Sequence, residues 1–479
     1  MILSDIIANA PASKVTGLTS DSRQVKKGMI FAAIPGTKFD GRDFIPQAIK
    51  QGAGAILSQP RLPELSVPVI EHENVRLAYS RLAKQLYSAQ PKCLAAITGT
   101  NGKSSTAEFL RQIWIKAGWA GASLGTLGIT APKGYRALTH TTPDAVALHQ
   151  NLSELAGEGV SHVAMEASSH GLDQYRLDGV DIAATAFTNL TQDHFDYHSD
   201  AEDYFLAKAR LFTELAGPKT PAVVNVNDDY GRRVLAICKD RDQPTLSVGW
   251  TGADIHINEI MPTASGQIIE LNVHSERVKV TLPLAAEFQV LNAVQALGLA
   301  LVTGVPQTIA IDALSQLTGV AGRMERAGIT REGAPIYVDF AHTEDGLDKL
   351  LRGVRPHTEN KIIIVFGCGG DRDPDKRAKM GAIAAKLADD VIVTDDNPRT
   401  EEPAAIRAQV LKGCPRAAVI GDRAQAIREG VSRLSKGDCL VIAGKGHESG
   451  QIIGTKTIPF KDVDEALSLI HISEPTRPY

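Results

Sequence analysis

Short apolar runs alternate with helix-length mixed segments along most of the chain. Ile30–Ile34 reads as a strand closed by Pro35-Gly36, Phe44–Ile49 as a helix leading to Gly52, and Gly54–Leu57 as another strand. These elements predict a small α/β unit over residues 1–88, with Ser88–Lys92 as a linker. Leu94–Ile97 opens a second unit as a short strand. It runs through Thr98–Ser105 into a helical pattern carrying Phe109, Leu110, Ile113 and Trp114. Apolar strands recur at His162–Met165, Ala183–Phe187 and Ala222–Asn225, each spaced by a helix-length segment. That rhythm belongs to a mostly parallel sheet with helices on both faces. A third unit starts near Ala327, with strands Ile336–Phe340, Ile362–Phe366, Val391–Thr394 and Leu440–Ala443. The expectation is an α/β fold of three domains, 1–88, 89–326 and 327–467, with Ala327-Gly328 as the hinge before the last. Ser468–Tyr479 carries two prolines and no helical face, and reads as a non-native or disordered tail.

Composition narrows the function classes. A chain of 479 residues suits roughly three domains. Lys and Arg total 51 against 55 Asp and Glu, for a formal charge of -4. No basic excess exists to neutralise phosphates, so no nucleic-acid partner is expected. No apolar run approaches the ~20 residues of a membrane helix, and no membrane partner is expected. The opening Met1–Lys14 lacks a basic region followed by an apolar one, so no secretory signal is read. Cys93, Cys238, Cys368, Cys414 and Cys439 are odd in number and widely spread, which argues against a disulfide framework or structural zinc. A cytoplasmic location is expected. Cys368 lies in a glycine-rich loop, where a small packed residue is a better reading than a catalytic thiol.

The chemistry begins at Gly99-Thr100-Asn101-Gly102-Lys103-Ser104-Ser105, set between an apolar strand and a helix. In that context loop and helix N–H groups face an anion. Lys103 can reach the β/γ-phosphates and the Ser104 hydroxyl can ligate Mg²⁺. The strict phosphate-loop pattern is not met, because Ile97 stands where its first glycine belongs. The bland alternative is a glycine turn beside a solvated lysine, and the strand–loop–helix order weighs against it. Glu166 ends a strand beside this loop, where a Mg²⁺ ligand belongs. Asp193, His194, Asp196 and His198 share one loop after the next strand; zinc is disfavoured there, since Mg²⁺ and phosphate already explain polar ligands. Lys208, among apolar residues at helical spacing, reads by itself as a snorkelling surface lysine.

Five motifs occur in order: Thr98–Ser104, Met165-Glu-Ala-Ser-Ser-His170, Thr188-Asn-Leu190 with Asp193-His194, Gly322-Arg-Met-Glu325 and Asp339-Phe-Ala-His342. On these the chain resembles the Mur ligase family of ATP-dependent amide-forming enzymes, over about residues 15–467. The resemblance implies a UDP-binding N-terminal domain, a central ATP-binding domain and a Rossmann-like C-terminal domain that takes an amino acid. It implies ATP as substrate, two Mg²⁺ sites and a monomer. Roles carried over are ATP contacts at Gly99–Ser105, Asn292, Arg323 and Asp339, and metal contacts at Ser104, Glu166, His194 and a carbamylated Lys208. Lys103, Glu166, His194 and Lys208 form the implied catalytic set. Ser20, Ser22, Gly36, Thr37, Thr141, Thr142, Ser168, Gln174 and Arg176 match contacts to a UDP-N-acetylmuramoyl-L-Ala-D-Glu substrate. The stretch Ala286–Asn292 departs from the family at Ala286 and Gln289, and Phe340 and Glu344 replace its tyrosine and proline.

The C-terminal unit has three turn-rich loops directly after strands: Gly367–Asp373, Asp395–Arg399 and Gly444–Glu448. In an open α/β sheet such loops converge on one crevice. Arg372 and Arg399 with Asp396, Asn397 and Glu448 suit a zwitterion, since arginine takes a carboxylate and acidic groups take ammonium. The resemblance makes Asp396-Asn397-Pro398-Arg399, with Arg372, Gly444 and Glu448, a site for meso-diaminopimelate rather than L-lysine. Diaminopimelate carries a far-end carboxylate for Arg399, whereas lysine would leave that arginine unpaired. Other readings are an L-lysine-adding homologue, a folylpolyglutamate or cyanophycin synthetase, and a P-loop kinase or nucleotide-gated binding protein. The Asp21-Ser-Arg23 turn and the Asp396–Arg399 loop argue against the synthetases.

Overall fold

A computed structural model describes all residues except 1, 7–11, 37–38, 192–196, 264–265, 275 and 472–479. Its internal contacts divide the chain into two units, residues 1–247 with 295–310, and residues 248–294 with 311–479.

The first unit holds two sheets. Strands β1 (Leu18–Thr19), β2 (Ile30–Ala32), β3 (Ala55–Ser58) and β4 (Val69–Glu71) pair in chain order, all parallel. Helices α1 (Ile45–Lys50) and α2 (Val75–Leu86) complete this small α/β layer, and Asn74 starts α2 by accepting the Leu77 N–H. The larger sheet is built on β5 (Cys93–Thr98), buried along its whole length. After it come α3 (Lys103–Lys116), β6 (Gly121–Gly125), β7 (Gly128–Ala131), β8 (Gly134–Arg136), α4 (Ala145–Gly157) and β9 (His162–Glu166). The short α5 (Ser169–Asp173), β10 (Ala184–Phe187), α6 (Ala201–Arg210), β11 (Ala222–Asn225) and α7 (Asp229–Asp240) follow. Strand order is β11-β10-β5-β9-β6-β7-β8, parallel as far as β6 and antiparallel beyond it. Parallel central strands are covered on both faces, which is why their sequences are continuously apolar. α3 anchors the sheet through the fully buried Trp114, whose indole N–H donates to Thr303 Oγ1 at 3.1 Å.

The chain crosses between the units within β12 (Thr245–Gly249), α8 (Glu287–Val302) and α9 (Gln307–Leu314). In the second unit β13 (Ile255–Thr263), β14 (Gly266–Val273) and β15 (Glu276–Leu282) form an antiparallel meander that apolar runs did not announce. Its burial alternates, as one-faced strands require. The C-terminal sheet comprises β16 (Glu325–Ile329), β17 (Pro335–Asp339), β18 (Ile362–Phe366), β19 (Asp390–Val393), β20 (Ala418–Val419) and β21 (Cys439–Ala443). Its order is β16-β17-β21-β18-β19-β20, parallel except for β16. Helices α10 (Glu344–Val354), α11 (Asp375–Leu387), α12 (Pro403–Leu411) and α13 (Arg423–Ser432) connect these strands, and β22 (Gly450–Ile453), β23 (Lys456–Pro459) and α14 (Asp462–His471) end the fold.

Three expectations need correction. Ala327-Gly328, expected as a hinge between domains, is not a break between elements: it lies inside β16, at an irregularity in the pairing with β17. The segment from Ser468 is not wholly outside the fold, because α14 runs to His471. Lys208 is not a snorkelling surface residue; it is 1% exposed. Among the described residues no helix is long and apolar enough to cross a membrane.

Candidate active site

The loop after β5 is tightly determined. Gly99 has φ +144°, and a Cβ there would lie 1.8 Å from Thr188 Oγ1. Gly102, at φ +88°, starts α3 with no side-chain cap. No side chain of Gly102 competes for the N–H groups of that first turn, in which Ser104 and Ser105 are buried, and the N-terminal end of a helix is where an anion is favoured. The loop is pinned to the β10 end from both sides. Thr100 N donates to Asn189 O at 2.8 Å, Asn101 N to Asn189 Oδ1 at 3.0 Å, and Thr188 Oγ1 to Asn101 O at 2.6 Å. Lys103 Nζ is folded back on the loop, donating to Gly99 O at 2.8 Å and Thr100 O at 2.7 Å. The buried Lys208 Nζ donates to the same Gly99 O at 2.9 Å and lies 4.3 Å above the Tyr204 ring centroid. Two lysines thus converge on one carbonyl of the phosphate loop.

Glu166, 2% exposed, is fixed at the end of β9. Thr126 N donates to its Oε1 at 2.8 Å and Thr126 Oγ1 to its Oε2 at 3.1 Å. Gly125 makes the cradle, since a Cβ there would meet Oε1 at 2.1 Å. From Thr126 the network runs to Thr141 Oγ1 at 2.9 Å. Thr142 Oγ1 donates to Glu166 O at 2.9 Å and accepts from Ser168 N at 3.0 Å. Arg176 donates to Thr142 O at 2.6 Å and to Gln174 Oε1 at 2.7 Å. Arg176 and Gln174 also line a cavity of about 200 Å³ with Ser20, Arg76, Tyr79 and Asp144. Six expected substrate contacts are thus linked through one hydrogen-bond network and the cavity it borders. Ser22 stands apart, buried with its Oγ 3.2 Å from Gln47 Oε1, and Gly36 closes a tight turn on Phe39 O. Thr37 and His194 lie outside the described residues.

In the second unit Asp339 accepts Met324 N at 2.6 Å and Ala341 N at 2.7 Å. Burial raises its pKa against the pull of the Arg323 charge. Asp339 Oδ2 therefore holds the Gly322–Glu325 turn against β17, while Oδ1 ties down the chain just after that strand. Arg323 lies over the Phe340 ring at 4.6 Å. Asn292 Nδ2 donates to Gln289 Oε1 at 2.9 Å, and Gln289 Nε2 donates to Arg323 O at 2.8 Å. Gln289, a departure from the family pattern, thereby ties two expected nucleotide residues together.

The three C-terminal loops follow β21, β18 and β19, which are neighbours in the sheet, and they do converge. Gly370 N donates to Asn397 O at 2.9 Å, and Arg399 Nη1 to Gly370 O at 2.8 Å. Asn397 Nδ2 donates to Glu448 Oε2 at 2.8 Å. Pro398 is buried, and a Cβ on Gly444 would come within 2.8 Å of Asp396 Oδ2. Burial raises the Asp396 pKa. Burial also pushes Glu448 up, but the Lys445 bond and charge outweigh it and hold that carboxyl below its usual range. Arg372 is exposed at the rim of its loop. Residues that motif reading missed are Thr126, Lys445, and the pair formed by the buried Arg377 with Glu401. Arg377 Nη1 and Nη2 each donate to Glu401 at 2.8 Å, bracing the 367–373 and 395–401 loops. Lys445 had a signal, as a lysine between two glycines directly after an apolar strand; Arg377 had none. Cys368 is inert: burial pushes its thiol up to about 12.

Comparison with known proteins is decisive at the family level. The model described as "Mur ligase family, catalytic domain" matches residues 14–87, "Mur ligase middle domain" residues 97–300, and "Mur ligase, glutamate ligase domain" residues 322–446. The chain belongs to the Mur ligase family. This Mur ligase is 47% identical over 467 residues to a protein of Agrobacterium fabrum named UDP-N-acetylmuramoyl-L-alanyl-D-glutamate--2,6-diaminopimelate ligase, covering 97% of this chain and 95% of that one. A Brucella melitensis protein of the same name is 47% identical over 459 residues, covering 95% and 94%. A solved structure of a ligase so named is 33% identical with TM-score 0.75, covering 99% of this chain and 100% of that one. A Thermotoga maritima MurF ligase in complex with ADP shares the fold, at 18% identity and TM-score 0.64, over 95% and 97% of the two chains.

The donor set fits Mg²⁺. Ser104 and Glu166 offer hard oxygens, and among the described residues no group of three His, Cys, Asp or Glu side chains forms a metal cage. One or two protein oxygens completed by phosphates is the usual Mg²⁺ arrangement.

Proposed function

We propose that this chain is an ATP-dependent ligase joining an amine of meso-2,6-diaminopimelate to the D-Glu γ-carboxylate of UDP-N-acetylmuramoyl-L-Ala-D-Glu. It would act as a cytoplasmic monomer of three domains, 1–88, 89–326 and 327–467. The observation that carries this reading is the near-full-length similarity to relatives named for that reaction. The hydrogen-bonded Thr142–Ser168–Gln174–Arg176 network and the joined loops around Asp396–Arg399 support it.

In the reaction, Lys103 leaves the Gly99 and Thr100 carbonyls to meet the β/γ-phosphates, beside the uncapped first turn of α3. Ser104 and Glu166, with His194 and a carbamylated Lys208 as further donors, would hold Mg²⁺, which would supply charge neutralisation at the transferring phosphoryl group. Arg176 and Gln174 orient the muramoyl dipeptide. Its γ-carboxylate oxygen attacks the γ-phosphorus, the bond to ADP breaks, and an acyl phosphate forms. The neutral amine of diaminopimelate then attacks the acyl carbon, the C–O bond to phosphate breaks in the tetrahedral intermediate, and the nitrogen's extra proton leaves to the departing phosphate or to water. Asn292, Arg323 and Asp339 would contact the nucleotide. Ser20, Ser22, Gly36, Thr37 and Thr141 would serve the UDP-sugar. Arg372, Asp396, Asn397, Arg399, Gly444 and Glu448 would receive the amino acid.

The test is phosphate release by purified protein with ATP, Mg²⁺ and UDP-N-acetylmuramoyl-L-Ala-D-Glu, comparing meso-diaminopimelate with L-lysine. Release with diaminopimelate alone is expected. Release with lysine would overturn the specificity; release that needs no acceptor would overturn the ligase reading.

A further inference from the structure

Lys445 is the least expected charge in the C-terminal unit. Its side chain is fully buried, at 0% exposure, in the loop after β21. A buried ammonium persists only where anions and acceptors surround it. Its Nζ donates to Glu448 Oε2 at 2.8 Å and to Asn397 Oδ1 at 3.1 Å, and lies 3.8 Å from Asp396 Oδ1. These contacts fix the Asn397 amide. Its oxygen faces two donors, Lys445 Nζ and Ile452 N at 2.8 Å, so its nitrogen must face Glu448. Asp396 Oδ1 is buried with no hydrogen bond. A carboxylate left so is a poor structural element and a good seat for a ligand's ammonium.

The charges can be weighed in pairs. Arg423 and Asp462 are both fully buried and neutralise one another through two bonds of 2.7 Å. That leaves Asp396 and Glu448 against Lys445, with Arg399 at the edge. Without Lys445 the crevice would carry one more uncompensated negative charge. It would then repel a far-end carboxylate and still accept a far-end ammonium.

We propose that Lys445 is a positioning and specificity-determining residue: its buried ammonium locks Asn397 and Glu448 in one orientation and lets the crevice accept a side chain ending in both carboxylate and ammonium. This rests on the diaminopimelate reading above. Lys445 need not touch the substrate.

The experiment measures steady-state kinetics of the full chain and of Lys445→Met and Lys445→Gln, with meso-diaminopimelate and with L-lysine. Wild type must first use diaminopimelate; its failure would refute the substrate reading itself, whatever the variants do. In both variants the KM for diaminopimelate should rise about 10- to 100-fold, the scale on which supporting shells act. The KM for ATP should stay within about 2-fold, and the preference for diaminopimelate over lysine should fall at least about 10-fold. Adding Glu448→Gln to Lys445→Met removes the stranded charge and should cost less than the two single losses multiplied. Equal losses with both amino acids and with ATP would mean that Lys445 only holds the fold. Failure of both variants to fold would overturn the proposal on the same ground. An unchanged diaminopimelate-to-lysine ratio would overturn the specificity role.

Discussion

Gly125→Ala is the sharpest probe of the Glu166 cradle. Gly125 ends β6, and its backbone needs no left-handed conformation, so alanine carries no intrinsic strain there. The added methyl carbon would lie 2.1 Å from Glu166 Oε1 and 2.5 Å from its Cδ and Cγ. An ordinary contact needs about 3.4 Å, so the carboxylate must move by more than 1 Å. That motion breaks the 2.8 Å bond from Thr126 N and the 3.1 Å bond from Thr126 Oγ1. Overpacking of this kind costs ~1–3 kcal/mol of stability. Where a group takes part in positioning the reactants, a 1 Å misplacement costs about 100-fold in rate. The expected result is a folded protein with kcat down about 100-fold and a raised Mg²⁺ requirement in phosphate release. Melting by calorimetry should show a fall of only a few degrees. Activity within about 3-fold of wild type, at unchanged Mg²⁺ dependence, would refute the role given to Glu166.

Other outcomes follow from the same geometry. Arg399→Ala should raise the KM for diaminopimelate at least about 10-fold while nucleotide binding, read by calorimetric titration with ADP, stays within about 2-fold; equal loss of both would remove Arg399 from the amino-acid site. His149 is fully buried on α4, and burial pushes its imidazole from 6.5 down to about 4. The unfolded chain therefore binds the extra proton first, so His149 contributes stability that is present above pH 6.5 and is lost as pH falls towards 4. At 1.36 kcal/mol per tenfold in proton affinity this amounts to about 3 kcal/mol. His149→Phe should flatten the pH dependence of chemical denaturation in that window, and an unchanged slope would count against the assignment. Asp462→Asn strands the buried Arg423 guanidinium and should cost about 3–5 kcal/mol in urea denaturation; a loss below about 1 kcal/mol would mean that water reaches the pair.

Most of the fold was legible where burial on both faces makes a strand read as one apolar run. Ala222–Asn225 and Ile362–Phe366 were found to the residue, and β5, β9 and β21 to within one residue at either end. The β13–β15 meander escaped because one-faced strands such as Gly266–Val273 intersperse Gln, Glu and Asn with their buried residues. Candidate site residues were legible where backbone geometry demands a residue type, as at Gly99, Gly102 and Gly444, with φ of +144°, +88° and +113°. They were illegible where the partner is far away in sequence. Arg377 reads as one more charged position on a helix, yet it is 1% exposed and spans 24 residues to reach Glu401. Lys208 shows the same limit: its spacing among apolar residues is equally compatible with a surface stem and with a buried amine at Gly99 O. Only the packing of α6 against the loop decides.

Phe340 shows how a departure from the family pattern can be neutral. A tyrosine there would add a hydroxyl, but the contacts the ring makes are through its body. Arg323 lies over it at 4.6 Å, His447 is tilted against it at 5.1 Å between ring centroids, and His342 meets it edge-on at 4.6 Å. Glycines let the backbone come this close. A Cβ on Gly446 would sit 2.8 Å from Phe340 Cβ, and one on Gly322 would sit 2.0 Å from His447 N. The Gly322–Glu325 turn, which carries a candidate nucleotide contact, is therefore packed on the Gly444–Glu448 loop, which carries candidate amino-acid contacts. The aromatic face is what this junction requires. Phe340→Tyr should leave the KM for ATP within about 2-fold. Phe340→Leu keeps a similar volume and loses the π face under the Arg323 cation, worth ~0.5–2 kcal/mol and so about 2- to 30-fold in the KM for ATP. The opposite pattern, leucine neutral and tyrosine impaired, would mean that volume rather than the ring face holds Arg323 in place.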